Sequence, residues 1–297
     1  MSFTRLLLMH ALSPLHAGTG QGVGVIDLPI ARDKATGLPY VPGSSVKGVL
    51  RDACQANDEC KEHTSKIFGP ETDNASDHAG TLHLADQRLL LLPVRSFAGT
   101  FAWTTSPYVL ARFARDAAAA GLTTPSLITN LKSNGQTALT ATETVLKAQG
   151  ETIVLEDLDL NGQPDPRARE WADWLSQRLF PDAAAWRGWL RERLCVVSDD
   201  VFNFLAETAT ETTARIRLDD DAKTVAEGAL WYEEALPAES VLYGLAVAAP
   251  VKKAELEANL IFTVLGKLTG NPRQFGGKAS VGRGLCRMQL CGVGEGK

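Results

Sequence analysis

The chain has no uninterrupted run of about 18 apolar residues, so no segment of it reads as a membrane span. The apolar stretch Leu6–Met9 is too short for a secretory signal core, and His10 interrupts it. These absences predict a cytoplasmic protein with no membrane partner. Cysteines number five, an odd count, and no two stand as Cys-x-x-Cys. That excludes a disulfide framework. Cys54, Cys60 and His63 offer three zinc ligands, with His78 or His83 as a fourth, but their spacing matches no compact zinc motif. Aromatics are sparse at 7 %. Acids are missing altogether from Ala258 to Gly294.

That last absence matters because the net charge is only -5. Residues 1–51 carry a net of +3, residues 258–297 a net of +5, and the span between them a net of -13. If the two ends pack together, they make a basic face on an acidic body. Local fields of this kind steer polyanions regardless of total charge.

What is present describes an ordinary globular chain of 297 residues, 44 % apolar and 22 % charged. Strands are predicted over residues 3–11, 80–92, 96–104, 152–160, 241–249 and 285–291. Helices are predicted over 44–57, capped by Ser44 or Ser45, and over 107–120, 167–180, 182–193 and 252–268. Residues 122–150 read as a loop or small insertion. Alternation in 212–218 and 227–236, around Asp219-Asp220-Asp221, predicts a hairpin. Tryptophans 171, 174, 186 and 189 stand at i, i+3 and read as helix–helix packing rather than base stacking. The outer elements alone run βαββαβ, the ferredoxin-like or RRM-like order of an α+β fold. On that reading the chain is a single domain of 297 residues. Its palm is 1–92 and 239–297, with a helical insertion at 93–211 and a hairpin at 212–238.

Two glycine-rich segments carry the chemistry. In the first, glycines 18, 20, 22 and 24 alternate between His16 and Asp27, leaving a bare backbone that a ligand can approach closely. The spacing is not G-x-G-x-x-G, so it is no dinucleotide fingerprint. In the second, Gly276, Gly277, Lys278 and Arg283 form a turn able to cradle an anion. It lacks the Lys-Ser/Thr of a P-loop and lies between a helix and a strand in the wrong order. Ser44-Ser45-Val46-Lys47 is formally S-x-x-K, but the partner motifs of serine acyl enzymes are absent. A helix start with Ser44, Ser45, Lys47 and Arg51 reads better as a phosphate seat. Asp27, alone among apolar neighbours, is a candidate to hold a metal ion or assist a 2′-hydroxyl, with His16 as a second acid–base group.

Leu15 to Gly20, Val25 to Ile30 and Tyr40 to Arg51 together resemble the RAMP superfamily of CRISPR effector proteins. Ile26-Asp27-Leu28-Pro29 and Gly228 to Glu234 are similar to the repeated backbone subunit of type III-B (Cmr) complexes. The resemblance implies an RRM-like palm with inserted fingers and a thumb hairpin. It implies a helical filament of copies along a CRISPR RNA, beside other Cmr subunits. It further implies cleavage of complementary single-stranded target RNA with a divalent metal, Mg2+ or Mn2+, by 2′-hydroxyl attack. Asp27 would be catalytic and hold the metal, with His16, Tyr232 and Glu233 in support. Ser44, Ser45, Lys47, Arg51, Gly276, Gly277, Lys278 and Arg283 would hold the guide. The alternative is a non-catalytic filament subunit that only binds the guide.

Overall fold

A computed structural model describes residues 3–20, 22, 25–70, 79–129, 131, 136–218, 225–251 and 256–292. Its strands are β1 (Phe3–Ala11), β2 (Tyr40–Val41), β3 (Leu82–Leu84), β4 (Gln87–Arg95), β5 (Phe101–Thr105), β6 (Thr137–Thr140), β7 (Lys147–Gln149), β8 (Thr152–Leu155), β9 (Leu158–Pro164), β10 (Leu194–Val196), β11 (Glu211–Leu218), β12 (Val225–Ala235), β13 (Val241–Ala248), β14 (Arg273–Gln274) and β15 (Leu285–Cys291). Its helices are α1 (Gly43–Gln55), α2 (Thr64–Phe68), α3 (Pro107–Ala119), α4 (Pro166–Leu179), α5 (Ala184–Arg193), α6 (Asp199–Thr208) and α7 (Ala258–Thr269). Among the described residues no helix is long and apolar enough to cross a membrane.

One large sheet runs β14-β15-β1-β13-β4-β5-β10-β6-β9-β8-β7, with β2 added to β4 and β3 to β13. It is antiparallel except where β10 meets β5 and β6 meets β9. β11 and β12 form a separate two-stranded sheet. The architecture is mixed α+β, as expected from the sequence. The two basic ends do meet: β15 pairs antiparallel with β1, setting Arg287 opposite His10.

β1 explains why its sequence is a continuous apolar run. Leu6, Leu7, Leu8 and Met9 are all fully buried. Side chains alternate between faces of a strand, so both faces of β1 are covered. On one face, Leu8 sits opposite Tyr243, whose ring meets Phe113 of α3 at 4.8 Å. His10, on the same face, meets Phe180 and Trp186. On the other, the Arg5 guanidinium lies 4.8 Å from the ring of Phe262 in α7. Each buried leucine contributes about 1.5–3 kcal/mol.

Several elements differ from the sequence reading. The single strand expected over 80–92 is split into β3 and β4, because Asp86 turns aside to accept from the Gly43 amide at 2.8 Å. Pro93 lies inside β4; the ladder to β13 ends at Leu91, so the missing N–H costs no bond on that side. The segment 96–104 keeps only Phe101–Thr105 as strand, after a turn in which Gly99 and Thr100 take positive φ. The 122–150 segment is no plain loop, since β6 and β7 join the sheet. The 152–160 strand folds into β8 and β9 around Glu156, at φ +48°. Of the tryptophans in α4 and α5, Trp171 is fully buried and Trp186 lies tilted 6.3 Å from Trp103, while Trp189 is exposed. Asp219, Asp220, Asp221 and residues 252–255 lie outside the described residues.

The start of α1 also differs. Pro42, not a serine, occupies the N-cap, and it has no side chain to cap the helix. Gly43 is pressed against the β3–β4 connection so tightly that a Cβ there would lie 2.3 Å from the Leu84 carbonyl oxygen. Asp86 then takes the first amide, so the helix begins ahead of the serines. Gly43→Ala is expected to destabilise the protein by about 1–3 kcal/mol through overpacking. A lowered urea midpoint with an unchanged slope checks this.

Candidate active site around Asp27

The free edge of β12 organises this region. Just past its end, Leu236 exchanges both backbone bonds with Leu15. Two residues earlier, the Glu234 amide donates to the Leu28 carbonyl at 3.0 Å. Two residues earlier again, the Tyr232 carbonyl accepts from the Leu28 amide at 3.1 Å. Residues i and i+2 present their backbone groups to the same edge, roughly 6.5–7 Å apart. The segments beginning at Leu15 and Asp27 are thus laid along one strand edge, though ten residues lie between His16 and Asp27.

Asp27 is exposed, yet its position is fixed. Its Oδ2 accepts from the Tyr232 amide at 2.7 Å, and its carbonyl accepts from the Gly22 amide at 2.8 Å. The other carboxylate oxygen faces outward from a pinned backbone. His16 is buried at 6 % exposure, with Nδ1 2.6 Å from the Glu234 carbonyl oxygen. A carbonyl only accepts, so Nδ1 carries the proton and Nε2 is the basic nitrogen of the neutral ring. Glycine is required around this ring. A Cβ on Gly18 would lie 2.6 Å from His16 Nε2, and one on Gly276 would lie 2.3 Å from the His16 carbonyl oxygen. The Gly277 amide donates to that same carbonyl at 2.9 Å. Gly276 and Gly277 therefore hold His16 by close backbone approach.

Tyr232 takes part through its backbone, while its side chain is partly exposed. Glu233 points to the opposite face and is 2 % exposed. Lys278 Nζ lies 2.8 Å from its Oε1, Trp231 Nε1 donates to the same oxygen at 2.8 Å, and Arg215 Nε is 3.4 Å from Oε2. Burial pushes the Glu233 carboxyl up, but the bonds from Lys278 and Trp231 and the charges of Lys278 and Arg215 more than offset this and hold it below its ordinary value. Lys278 sits at φ +67°, an uncommon conformation for a side chain-bearing residue. Arg283 is 6 % exposed and turns inward, with NH2 donating to Thr213 Oγ1 at 3.1 Å and NH1 3.7 Å from Glu211. It clamps the hairpin root to the C-terminal turn. Burial raises the Glu211 carboxyl, and Arg283 opposes that rise.

The residue the sequence reading missed is Glu234. It is 3 % exposed and accepts from the Ile30 amide at 3.0 Å, from Arg32 at 2.5 Å and from Thr210 Oγ1 at 3.0 Å. It ties the Asp27 segment to the hairpin. The signal was the pair Glu233-Glu234 at a strand end, where alternation sends adjacent acids to opposite faces.

The α1 start is anchored to Asp86 rather than to this cluster. Ser44 and Ser45 are exposed and Lys47 is partly so. Ser44, Lys47 and Arg51 share one helix face, which flanks the buried stripe of Val46, Leu50 and Cys54. Arg51 donates to the Pro70 carbonyl at 2.9 Å. The zinc grouping is not assembled. Cys54 and Cys60 pair with each other as a disulfide, one bond rather than a framework. Their Cα atoms are 5.5 Å apart, within the span such a bond bridges. His63 lies by Glu62, and His78 is outside the described residues. Among the described residues no three His, Cys, Asp or Glu side chains are grouped to hold a metal.

A depressed carboxyl stabilises the folded state above its unfolded value, and this stabilisation is lost as pH falls through the folded value. Glu233 is therefore expected to steepen the loss of stability below about pH 4.5, its ordinary value. Glu233→Gln should flatten that acid limb in melting temperature recorded against pH, and lower stability near neutrality.

Comparisons with known proteins place the whole chain in a family. The RAMP superfamily matches the chain over residues 8–287. The "CRISPR system Cmr endoribonuclease Cmr4" of Pyrococcus furiosus is 36 % identical over 287 residues, covering 96 % of this chain and 95 % of that one. The crystal structure of oligomeric Cmr4 from the same organism superposes with a TM-score of 0.76 at 30 % identity, over 97 % of each chain. A chain of the type III-B Cmr-beta complex bound to cognate target RNA shares the fold, with a TM-score of 0.74 at 19 % identity over 97 % of each chain. With a match across nearly its whole length and a relative this similar end to end, the chain belongs to the RAMP superfamily, in its Cmr4 family.

Proposed function

We propose that this protein is the repeated backbone subunit of a type III-B CRISPR ribonucleoprotein. It binds the CRISPR RNA and cleaves complementary target RNA at regular intervals. Its partners are the guide, the target strand, further copies of itself and other Cmr subunits, working in the cytoplasm. The carrying observation is Asp27: a solvent-facing carboxylate on a main chain pinned to β12 at Leu28 and Tyr232. Rigid placement of an exposed acid suits in-line chemistry, where positioning supplies much of the rate. The relative in Pyrococcus furiosus, named an endoribonuclease, supports the same reading.

In the reaction, the 2′-oxygen attacks the adjacent phosphorus and loses its proton. The bond to the 5′-oxygen of the next nucleotide breaks, and that oxygen takes up a proton. The products are a 2′,3′-cyclic phosphate and a 5′-hydroxyl. Asp27, through the oxygen that Tyr232 leaves unengaged, is placed to accept the 2′ proton. His16 Nε2 is the second acid–base group, beneath the glycine loop. Tyr232 and Glu233 support the site, Tyr232 by holding Asp27 and Glu233 by holding Lys278 and Arg215.

A divalent ion, Mg2+ or Mn2+, is part of the proposal. One exposed carboxylate does not make an all-protein cage, but it fits an ion that takes one or two carboxylates, water and substrate phosphate oxygens. Asp27 is the residue that would hold it. When bound, the ion supplies charge neutralisation at the phosphate.

Ser44, Ser45, Lys47 and Arg51 on α1, with Gly276, Gly277 and Lys278 at the C-terminal turn, are the guide-binding residues of this reading. Arg283 serves it from inside, by fixing the turn to the hairpin. The sheet order β15-β1-β13-β4, each pair antiparallel, with α1 and α7 in contact, is the basis for reading 1–92 and 239–297 as an RRM-like palm. The fingers are then 93–211 and the thumb 212–238.

Asp27→Ala in the assembled complex is expected to lower periodic cleavage of complementary RNA about 10²-fold or more, with RNA binding kept. Unchanged cleavage would sink the catalytic assignment. Chelation should stop cleavage and Mg2+ or Mn2+ restore it; cleavage indifferent to chelator removes the metal. If no condition gives cleavage while guide binding persists, the subunit is a structural filament protein.

A further inference from the structure

Sharing Arg32 with the Glu234 junction, a cavity of about 240 Å³ opens between the 32–40 segment, β4 and α3. Its walls hold four cations, Arg32, Lys34, Arg88 and Arg112, against two acids, Asp33 and Asp86. Most of the pairing among these groups is already settled. Arg32 is engaged by Glu234 and by the carbonyls of Gly37 and Ala206. Asp86 accepts from the Gly43 amide. Asp33 accepts from the amides of Ala35 and Thr36 in its own turn.

Three cations are left poorly matched. Arg88 meets Asp116 only at 3.4 Å. Arg112 is 8 % exposed; it donates to the Leu89 carbonyl at 3.4 Å, hydrogen-bonds Tyr243 and lies 5.4 Å from the Tyr108 ring, yet its buried Nε has no partner. Lys34 is exposed at the rim. A buried guanidinium without full pairing is unusual and calls for an explanation. Two guanidinium forks and an ammonium around one cavity are the donor set that recognises a tetrahedral oxyanion.

We infer that this cavity is a phosphate-binding site, separate from the glycine turns and the α1 start. Lys34, Arg88 and Arg112 hold the anion, and the half-buried Tyr40 lines the wall beside it. The phosphate belongs either to an RNA strand or to a free mononucleotide. Only the choice between these sources rests on the RNA-binding reading; the anion chemistry stands on the cavity alone.

Calorimetric titration of the full-length chain with inorganic phosphate, AMP and a short RNA tests the site, at matched ionic strength so that unspecific salt effects cancel. Inorganic phosphate is expected to bind saturably. Its affinity should fall about tenfold or more in Arg88→Gln and again in Lys34→Gln, as loss of a charge-assisted hydrogen bond implies. Both side chains lie at the surface, and unchanged melting temperatures show that the variants fold. Asp27→Ala should bind phosphate like the parent chain, which separates this site from the cleavage site. Tighter AMP than RNA assigns the phosphate to a nucleotide, and the reverse assigns it to a strand. Absence of saturable phosphate binding overturns the inference, as does affinity unaltered in both variants. Equal displacement by glutamate also overturns it, since that marks a seat for a protein carboxylate.

Discussion

Two adjacent buried carboxylates, Glu233 and Glu234, hold together the parts of the chain that make the site. Strand alternation sends them to opposite faces of β12. Glu233 gathers Lys278 from the C-terminal turn and Arg215 from the hairpin's other strand. Glu234 gathers Arg32 and the Ile30 amide from the segment after the glycine loop. Three regions, the first of them some two hundred residues from the others, meet at one strand end. Removing one partner of such a buried pair costs about 3–5 kcal/mol, because a desolvated charge is left behind. The pairs thus enforce one arrangement of the loops more than they add net stability.

The sheet supplies the platform for that junction. β1, apolar on both faces, is held between β13 and β15, and this pairing carries the two basic ends to one place. From the end of β1 the chain passes directly into Leu15 and His16, which cover the edge of β12. His16 is gripped from both sides: its ring bonds the hairpin, and its carbonyl receives Gly277 of the C-terminal turn. Glycines at 18 and 276 are needed here because side chains would strike the ring or backbone of His16, and Gly277 also sits tight against the ring. Freedom in this loop is therefore local. The backbone at Leu28 and Tyr232 is fixed, and the Asp27 carboxylate stands out from it.

Much of this was legible in the sequence. The charge asymmetry pointed to adjacent ends, and β1–β15 pairing realises it. The glycine pattern around His16 and the hairpin alternation marked segments that do converge. The capping serines were misjudged because local propensity cannot see Asp86, which arrives from another strand to take the first helix amide. Arg283 read as part of an anion-cradling turn, but Thr213 and Glu211 draw it inward. The disulfide between Cys54 and Cys60 was unreadable, because two half-cystines six apart carry no spacing signal of their own.

Period, composition and glycine placement are local properties, and local sterics and burial suffice to produce them. On those grounds the sequence by itself determined the α+β class, the apolar central strand, the paired basic ends and the two glycine turns around His16 and Lys278. Tertiary structure alone decided which charges face solvent and which are consumed. Asp27 is left outward because a backbone amide satisfies only one of its oxygens. Glu233, Glu234 and Arg283 are turned inward because partners from distant segments meet them there. Ion pairing depends on distance in space, and for residues two hundred positions apart only the folded chain sets that distance.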